Sequence, residues 1–133
     1  MSAVVADTHA LIWYFTASPN LSSTALSAFE DALASGYPVW VPSICLVELI
    51  YLTERFRLPM TGLKKLREAL ADPSAGLRLA PLDLAIIDAI SSVPRDAVPD
   101  MPDRIIAATA IALTLPLITR DARIRALPMN TIW

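Results

Sequence analysis

The stretch MPDRIIAATAIALTLPLITRDARI, Met101 to Ile124, decides how the rest of the chain is read. Ile105, Ile106, Ala108, Thr109, Ile111 and Leu113 recur at helical spacing with alanines between them. A helix that is apolar almost all round is predicted to be buried. Pro116 cannot continue it, and Leu117-Ile118-Thr119 reads as a short buried strand. Two acids, Asp103 and Asp121, stand at opposite ends of this helix-strand unit. Sites in open parallel sheets form beyond the carboxyl ends of strands, and Asp121 follows just such an end. Both acids also begin helical patterns, and an aspartate there is a favoured N-cap. Taken singly, each is explained by capping. A case for chemistry needs matching acids elsewhere in the chain.

Upstream, strands and helices alternate. Ala3 to Ala6 is a β-branched apolar run that reads as a central strand, ended by Asp7-Thr8. His9 to Phe15 reads as a short helix. Ser22 or Ser23 caps a second helix that stops near Gly36. Val39 to Val41 is a second strand, and Ser43 caps a third helix running to about Phe56. Pro59 breaks the chain before a helix over 61–70. Leu77 to Leu79 is a third strand, Leu82 to Ile90 is helical, and a loop rich in Pro and Asp spans 93–102. Asn130 to Ile132 fits an edge strand. The alternation predicts an α/β fold with a mainly parallel sheet.

The chain has 133 residues, so residues 1–133 are expected to form one domain. It is 55% hydrophobic and 18% charged. An average domain is roughly 45–50% apolar and about 25% charged, so the excess predicts a covered surface and hence a partner or an oligomer. A net charge of −2 argues against a protein relying on general attraction to nucleic acid. Cys45 is the single cysteine, which excludes an internal disulfide and a Cys-rich zinc site. No apolar run reaches membrane-spanning length, and no basic region precedes the first apolar stretch. Neither anchor nor signal peptide is expected, and the cytoplasm is the expected compartment.

Four acids now group together. Asp7 follows the first strand as Asp121 follows a later one. Glu48 has Ile44, Cys45, Tyr51 and Leu52 as its helical neighbours, so its carboxylate is expected to be partly buried. A buried carboxylate needs a donor, a cation or a metal, and Arg55 is the alternative partner. Asp103 and Asp121 complete the set, with Asp100 a possible fifth. Four carboxylates in one pocket raise each other's pKa, and a divalent cation removes the conflict. All-oxygen ligands point to Mg²⁺ or Mn²⁺ rather than zinc. Such an ion can activate a water and stabilise a phosphate, which suggests phosphodiester hydrolysis.

Three segments, VVADTHALIW, PSICLVELIYL and DMPDRIIAATAIALTLPLITRD, together resemble the PIN domain, and within it the VapC-type toxin ribonucleases of toxin–antitoxin pairs. The likeness extends over essentially the whole chain. It implies a three-layer fold with strand order 3-2-1-4-5 flanked by helices. It also implies that Asp7, Glu48, Asp103 and Asp121 bind the metal of an endoribonuclease, supported by the hydroxyl of Thr8 or Thr119. A VapB-like antitoxin, an RNA substrate and a homodimer are the implied partners. A non-catalytic PIN-like module that only binds protein or RNA is the alternative, and loss of a metal acid would mark it. All four acids are present.

Other residues carry competing readings. His9 can position a phosphate or water, but a structural role at a helix start is the plainer reading. Trp13, Tyr14 and Phe15 suit a partner surface or the core equally. Arg104 and Arg120 adjoin site acids and can contact RNA phosphate or simply pair with those acids. Lys64, Lys65 and Arg67 read as a solvated basic face. An aspartate-nucleophile phosphatase is disfavoured because His9 stands where a second acid is wanted. A dinucleotide-binding enzyme is disfavoured because no G-x-G-x-x-G turn exists.

Overall fold

A computed structural model describes residues 2–55 and 60–133. Five strands form one sheet in the order β3-β2-β1-β4-β5. They are β1 (Val4–Ala6), β2 (Val39–Pro42), β3 (Leu77–Ala80), β4 (Leu117–Ile118) and β5 (Thr131–Ile132). All four pairings are parallel, so every strand points its carboxyl end toward the same edge. β1 is the central strand and buries all three of its residues, which is why it reads as an unbroken apolar run.

The helices are α1 (Thr8–Phe15), α2 (Ser23–Ala34), α3 (Ser43–Glu54), α4 (Met60–Ala71), α5 (Leu84–Ala89), α6 (Met101–Leu113) and α7 (Ala122–Arg125). A turn of 3-10 helix covers Ile90–Ser92. α6 buries the unbroken run Ile105 to Ala110, as its all-round apolar pattern requires. Thr114 closes it in a left-handed conformation, φ 56°, and Leu115-Pro116 leads into β4. Gly62 lies where α4 crosses α1. A Cβ there would run into Ile12 Cδ1, so a larger residue would have to push that side chain aside.

Two expected caps are corrected. Ser43 does not cap α3. It is the first helical residue, Pro42 occupies the cap position without a side-chain bond, and the Ser43 hydroxyl accepts from Leu82 N at 3.1 Å. It therefore ties the start of α3 to the segment after β3. Asp103 does not cap α6. That role belongs to Asp100, whose Oδ2 accepts from Asp103 N at 3.1 Å, and Pro102 takes the second helical position. The expected end of α3 near Phe56 and the break at Pro59 lie outside the described residues.

Chain direction now places the chemistry. Strand order reverses between β1 and β4, so a crevice opens beyond their carboxyl ends. α1 starts at that edge because it follows β1, and α3 starts there because it follows β2. α6 leads into β4 and runs the opposite way, which brings its first turn to the same edge.

Candidate active site

A cavity of about 310 Å³ opens at this edge. Asp7, Thr8, Glu48, Asp100, Asp103 and Asp121 line it, together with His9, Trp13, Ile106 and Arg120. The four acids grouped from sequence therefore face one space, although they come from four separate elements.

Asp7 is the N-cap of α1, and its Oδ1 accepts from Ala10 N at 2.9 Å. Burial pushes its carboxyl above the ordinary value of 3.8, while the Thr119 hydroxyl and the Ala10 N–H pull it back. Thr119 itself is fully buried, and its Oγ1 also accepts from Asp121 N at 3.0 Å. This one hydroxyl thus couples Asp7 to Asp121 at the carboxyl ends of neighbouring strands.

Asp121 caps α7 and uses a single oxygen for it. Oδ1 accepts from Arg123 N at 2.8 Å and from Ile124 N at 3.1 Å. Capping and lining the cavity are compatible because each role needs only part of the carboxylate. Glu48 is half-buried on α3, and its Oε1 takes the Thr8 hydroxyl at 2.6 Å. Arg55 is an exposed residue at the far end of the helix.

Asp103 stands in the first turn of α6. Its pKa is pushed up to about 7, first by burial and then by the charges of Asp100, Asp121 and Glu48. Asp100 stands close enough to hydrogen-bond with its protonated form. Negative charge thus converges on this side chain without compensation. Cys45, fully buried nearby, has its thiol raised well above the ordinary value, chiefly by burial.

The donor set is all carboxylate oxygen, the chemistry that a hard divalent cation takes. Among the described residues, no three His, Cys, Asp or Glu side chains are already drawn into a metal-holding group. The acids face a shared space rather than form a closed cage. Burial first, and the neighbouring carboxylates after it, raise the Asp103 pKa in this space.

The arginines and aromatics part from expectation. Among the described residues, Arg104 pairs with no acid. Its Nε and Nη2 donate to Val93 O at 3.0 and 2.8 Å, and Nη2 also reaches Ile90 O at 3.2 Å. It clamps the 3-10 turn onto α6. Arg120 lies over the Trp13 indole, its guanidinium carbon 4.4 Å from the ring centroid. Trp13 and His9 both line the cavity, with ring centroids 5.4 Å apart. Sequence reasoning missed Trp13 and Ile106 as lining residues. The spacing of Trp13, four residues from His9 and one turn further from Asp7, carried the signal.

The PIN domain family model matches residues 4–129. This chain belongs to the PIN domain family. No curated protein matches it in sequence. Among solved structures, this PIN domain is similar to a chain of VapBC2 from Rickettsia felis bound to a DNA fragment from their promoter. The TM-score is 0.72 at 16% identity, over 97% of this chain and 96% of that one. It is also similar to a chain of a toxin-antitoxin complex from Klebsiella pneumoniae, with TM-score 0.65, 21% identity, and 98% and 96% coverage. FitAcB from Neisseria gonorrhoeae gives 0.63 at 21% identity, covering 96% and 95%. At these identities the likeness establishes the fold. No helix of the described residues is long and apolar enough to cross a membrane.

Proposed function

We propose that this PIN domain, taken as a single unit over residues 1–133, is a metal-dependent endoribonuclease, the toxin of a toxin–antitoxin pair. The observation that carries the reading is the convergence of Asp7, Glu48, Asp103 and Asp121 on one cavity, with the Asp103 pKa raised to about 7 by burial and neighbouring carboxylates. Uncompensated acids at a topological switch point suit a site completed by a cation. Asp7, Glu48 and Asp103 would hold Mg²⁺, or Mn²⁺ in its place, and Asp121 would assist directly or through water. Held by these acids, such an ion would supply a water of lowered pKa and charge to offset that of the phosphate. Thr8 orients Glu48, Thr119 orients Asp7 and Asp121, and Asp100 keeps the first turn of α6 in place. The solved relatives are toxin–antitoxin complexes, which supports a VapB-like antitoxin as partner. Exposed Val47, Ile50 and Tyr51 on α3, with Leu84, Ile87 and Met101, offer apolar surface for a second copy. The likeness to toxin–antitoxin proteins favours a cytoplasmic setting.

The decisive experiment pairs cleavage of structured RNAs with a thermal melt, on protein freed of antitoxin. Mg²⁺ should support cleavage, and EDTA should abolish it. Asp103→Asn should fold and lose activity by orders of magnitude, since about 1.4 kcal/mol of lost transition-state stabilisation is already tenfold. Equal cleavage in EDTA, or full activity in Asp103→Asn, overturns the metal mechanism.

A further inference from the structure

We propose that Trp13 and Arg120 form a nucleobase-stacking platform at the rim of the acidic cavity, which takes a base of single-stranded RNA beside the phosphate to be cut. The inference rests on the ribonuclease reading and adds the subsite that seats the substrate.

The platform is built from three separated parts of the chain. Trp13 projects from α1 one turn beyond His9 and lines the cavity. Its ring is held from the other end of the chain by Trp133, which follows β5, with centroids 5.9 Å apart. Arg120 follows β4 and precedes Asp121. Its side chain is exposed, and its planar guanidinium lies over the indole at 4.4 Å. The exposed guanidinium and the indole beneath it are the two kinds of surface, Arg planes and aromatic rings, on which unstacked RNA bases settle.

Electrostatics gives the platform its purpose. Five acids line the cavity (Asp7, Glu48, Asp100, Asp103 and Asp121), and Arg120 is the one formally cationic side chain among the described lining residues. The whole chain carries −2. A polyanion is therefore not drawn to this edge by long-range attraction. Stacking contributes affinity that does not depend on net charge, and Arg120 adds a positive charge where the backbone must approach the acids. A protein partner is disfavoured as the natural occupant because the platform adjoins Asp7 and Asp121, where a scissile phosphate must lie.

The test uses the full chain carrying Asp103→Asn, so that RNA is bound and not cut. The probes are a short fluorescein-labelled single-stranded RNA of mixed sequence and the same strand made abasic, read by anisotropy. Trp13→Leu should weaken the base-bearing strand by roughly tenfold and the abasic strand by less than about twofold. Trp13→Phe should retain most of the affinity. Arg120→Lys keeps the charge but loses the plane, and should weaken only the base-bearing strand. Arg120 is exposed, so this variant decides the matter even if Trp13→Leu fails to fold. Equal affinity of the parent for both strands overturns the platform, as does equal loss on both strands in Trp13→Leu. Variants that weaken only the antitoxin complex and leave RNA binding intact overturn it too. Failure of the ribonuclease reading shows separately, as unmodified protein that leaves RNA uncut in Mg²⁺ whatever the two strands do in binding.

Discussion

The Thr8 hydroxyl donates to Glu48 Oε1 at 2.6 Å across forty residues of chain. Thr8 opens α1 after the central strand, and Glu48 sits in the second turn of α3 after the neighbouring strand. The bond fixes one oxygen of the glutamate and aims its carboxylate into the cavity. Thr8→Val keeps the shape and removes the donor. A hydrogen bond to a charged group contributes about 1.5–3 kcal/mol, and a half-buried site brings the expected stability loss toward the lower end. RNA cleavage should fall at least tenfold, and Thr8→Ser should restore most of it. A Thr8→Val protein with unchanged turnover would remove Thr8 from the site.

Stability of the metal-free protein should depend on pH in an unusual direction. Asp103 has a folded pKa of about 7 against an ordinary 3.8, and Asp7 is raised as well. The folded state then binds protons more tightly than the unfolded state. Stability is greatest below the ordinary value and falls as pH rises through about 7. Asp103→Asn should stabilise the metal-free protein above that pH, and solvent screening of this half-buried group keeps the gain to about 1 kcal/mol. Denaturant melts at several pH values in EDTA check both statements. Loss of stability on acidification over the same range would contradict them.

Added Mg²⁺ or Mn²⁺ should reverse that penalty. An ion that binds only the folded state at a hundred times its Kd adds about 2.7 kcal/mol. The melting temperature should rise by several degrees in the parent protein and hardly move in Asp103→Asn. Ca²⁺ as a control separates site occupancy from cleavage. A melt indifferent to all three ions would count against a cation site.

Asp121 carries two roles that substitution can separate. Asp121→Ala removes the acceptor for Arg123 N and Ile124 N and should cost about 1 kcal/mol as a lost cap. Asp121→Asn retains the acceptor and should keep the melt while lowering cleavage. Parallel melts and cleavage rates read the difference.

Arg104 should prove structural. Arg104→Met strands the carbonyls of Val93 and Ile90, at a cost of about 1–3 kcal/mol. Amide exchange should quicken in the segment from Ile90 to Asp100. RNA affinity should stay near the parent's, which a phosphate-contacting arginine would not allow.

Residue type and periodicity alone determined much of this molecule. The apolar run Val4-Val5-Ala6 ended by Asp7, and a buried helix between two acids, specify a parallel α/β sheet with carboxylates beyond its strand ends. Local patterns suffice there because burial on both faces demands continuous apolar runs and turns demand polar ends. The tertiary structure alone decided which atoms meet. Asp100 and Asp103 are equally able to cap α6, and only the position of its first turn chose Asp100. Ser43 turned from its own helix to Leu82 because β3 pairs beside β2. Arg104 found carbonyls and Arg120 found Trp13, where adjacent acids had suggested ion pairs. The Ser43 and Arg120 choices rest on contacts between segments far apart in sequence. So does the meeting of Asp7 and Asp121, which requires β1 to pair with β4, and no local pattern encodes that pairing.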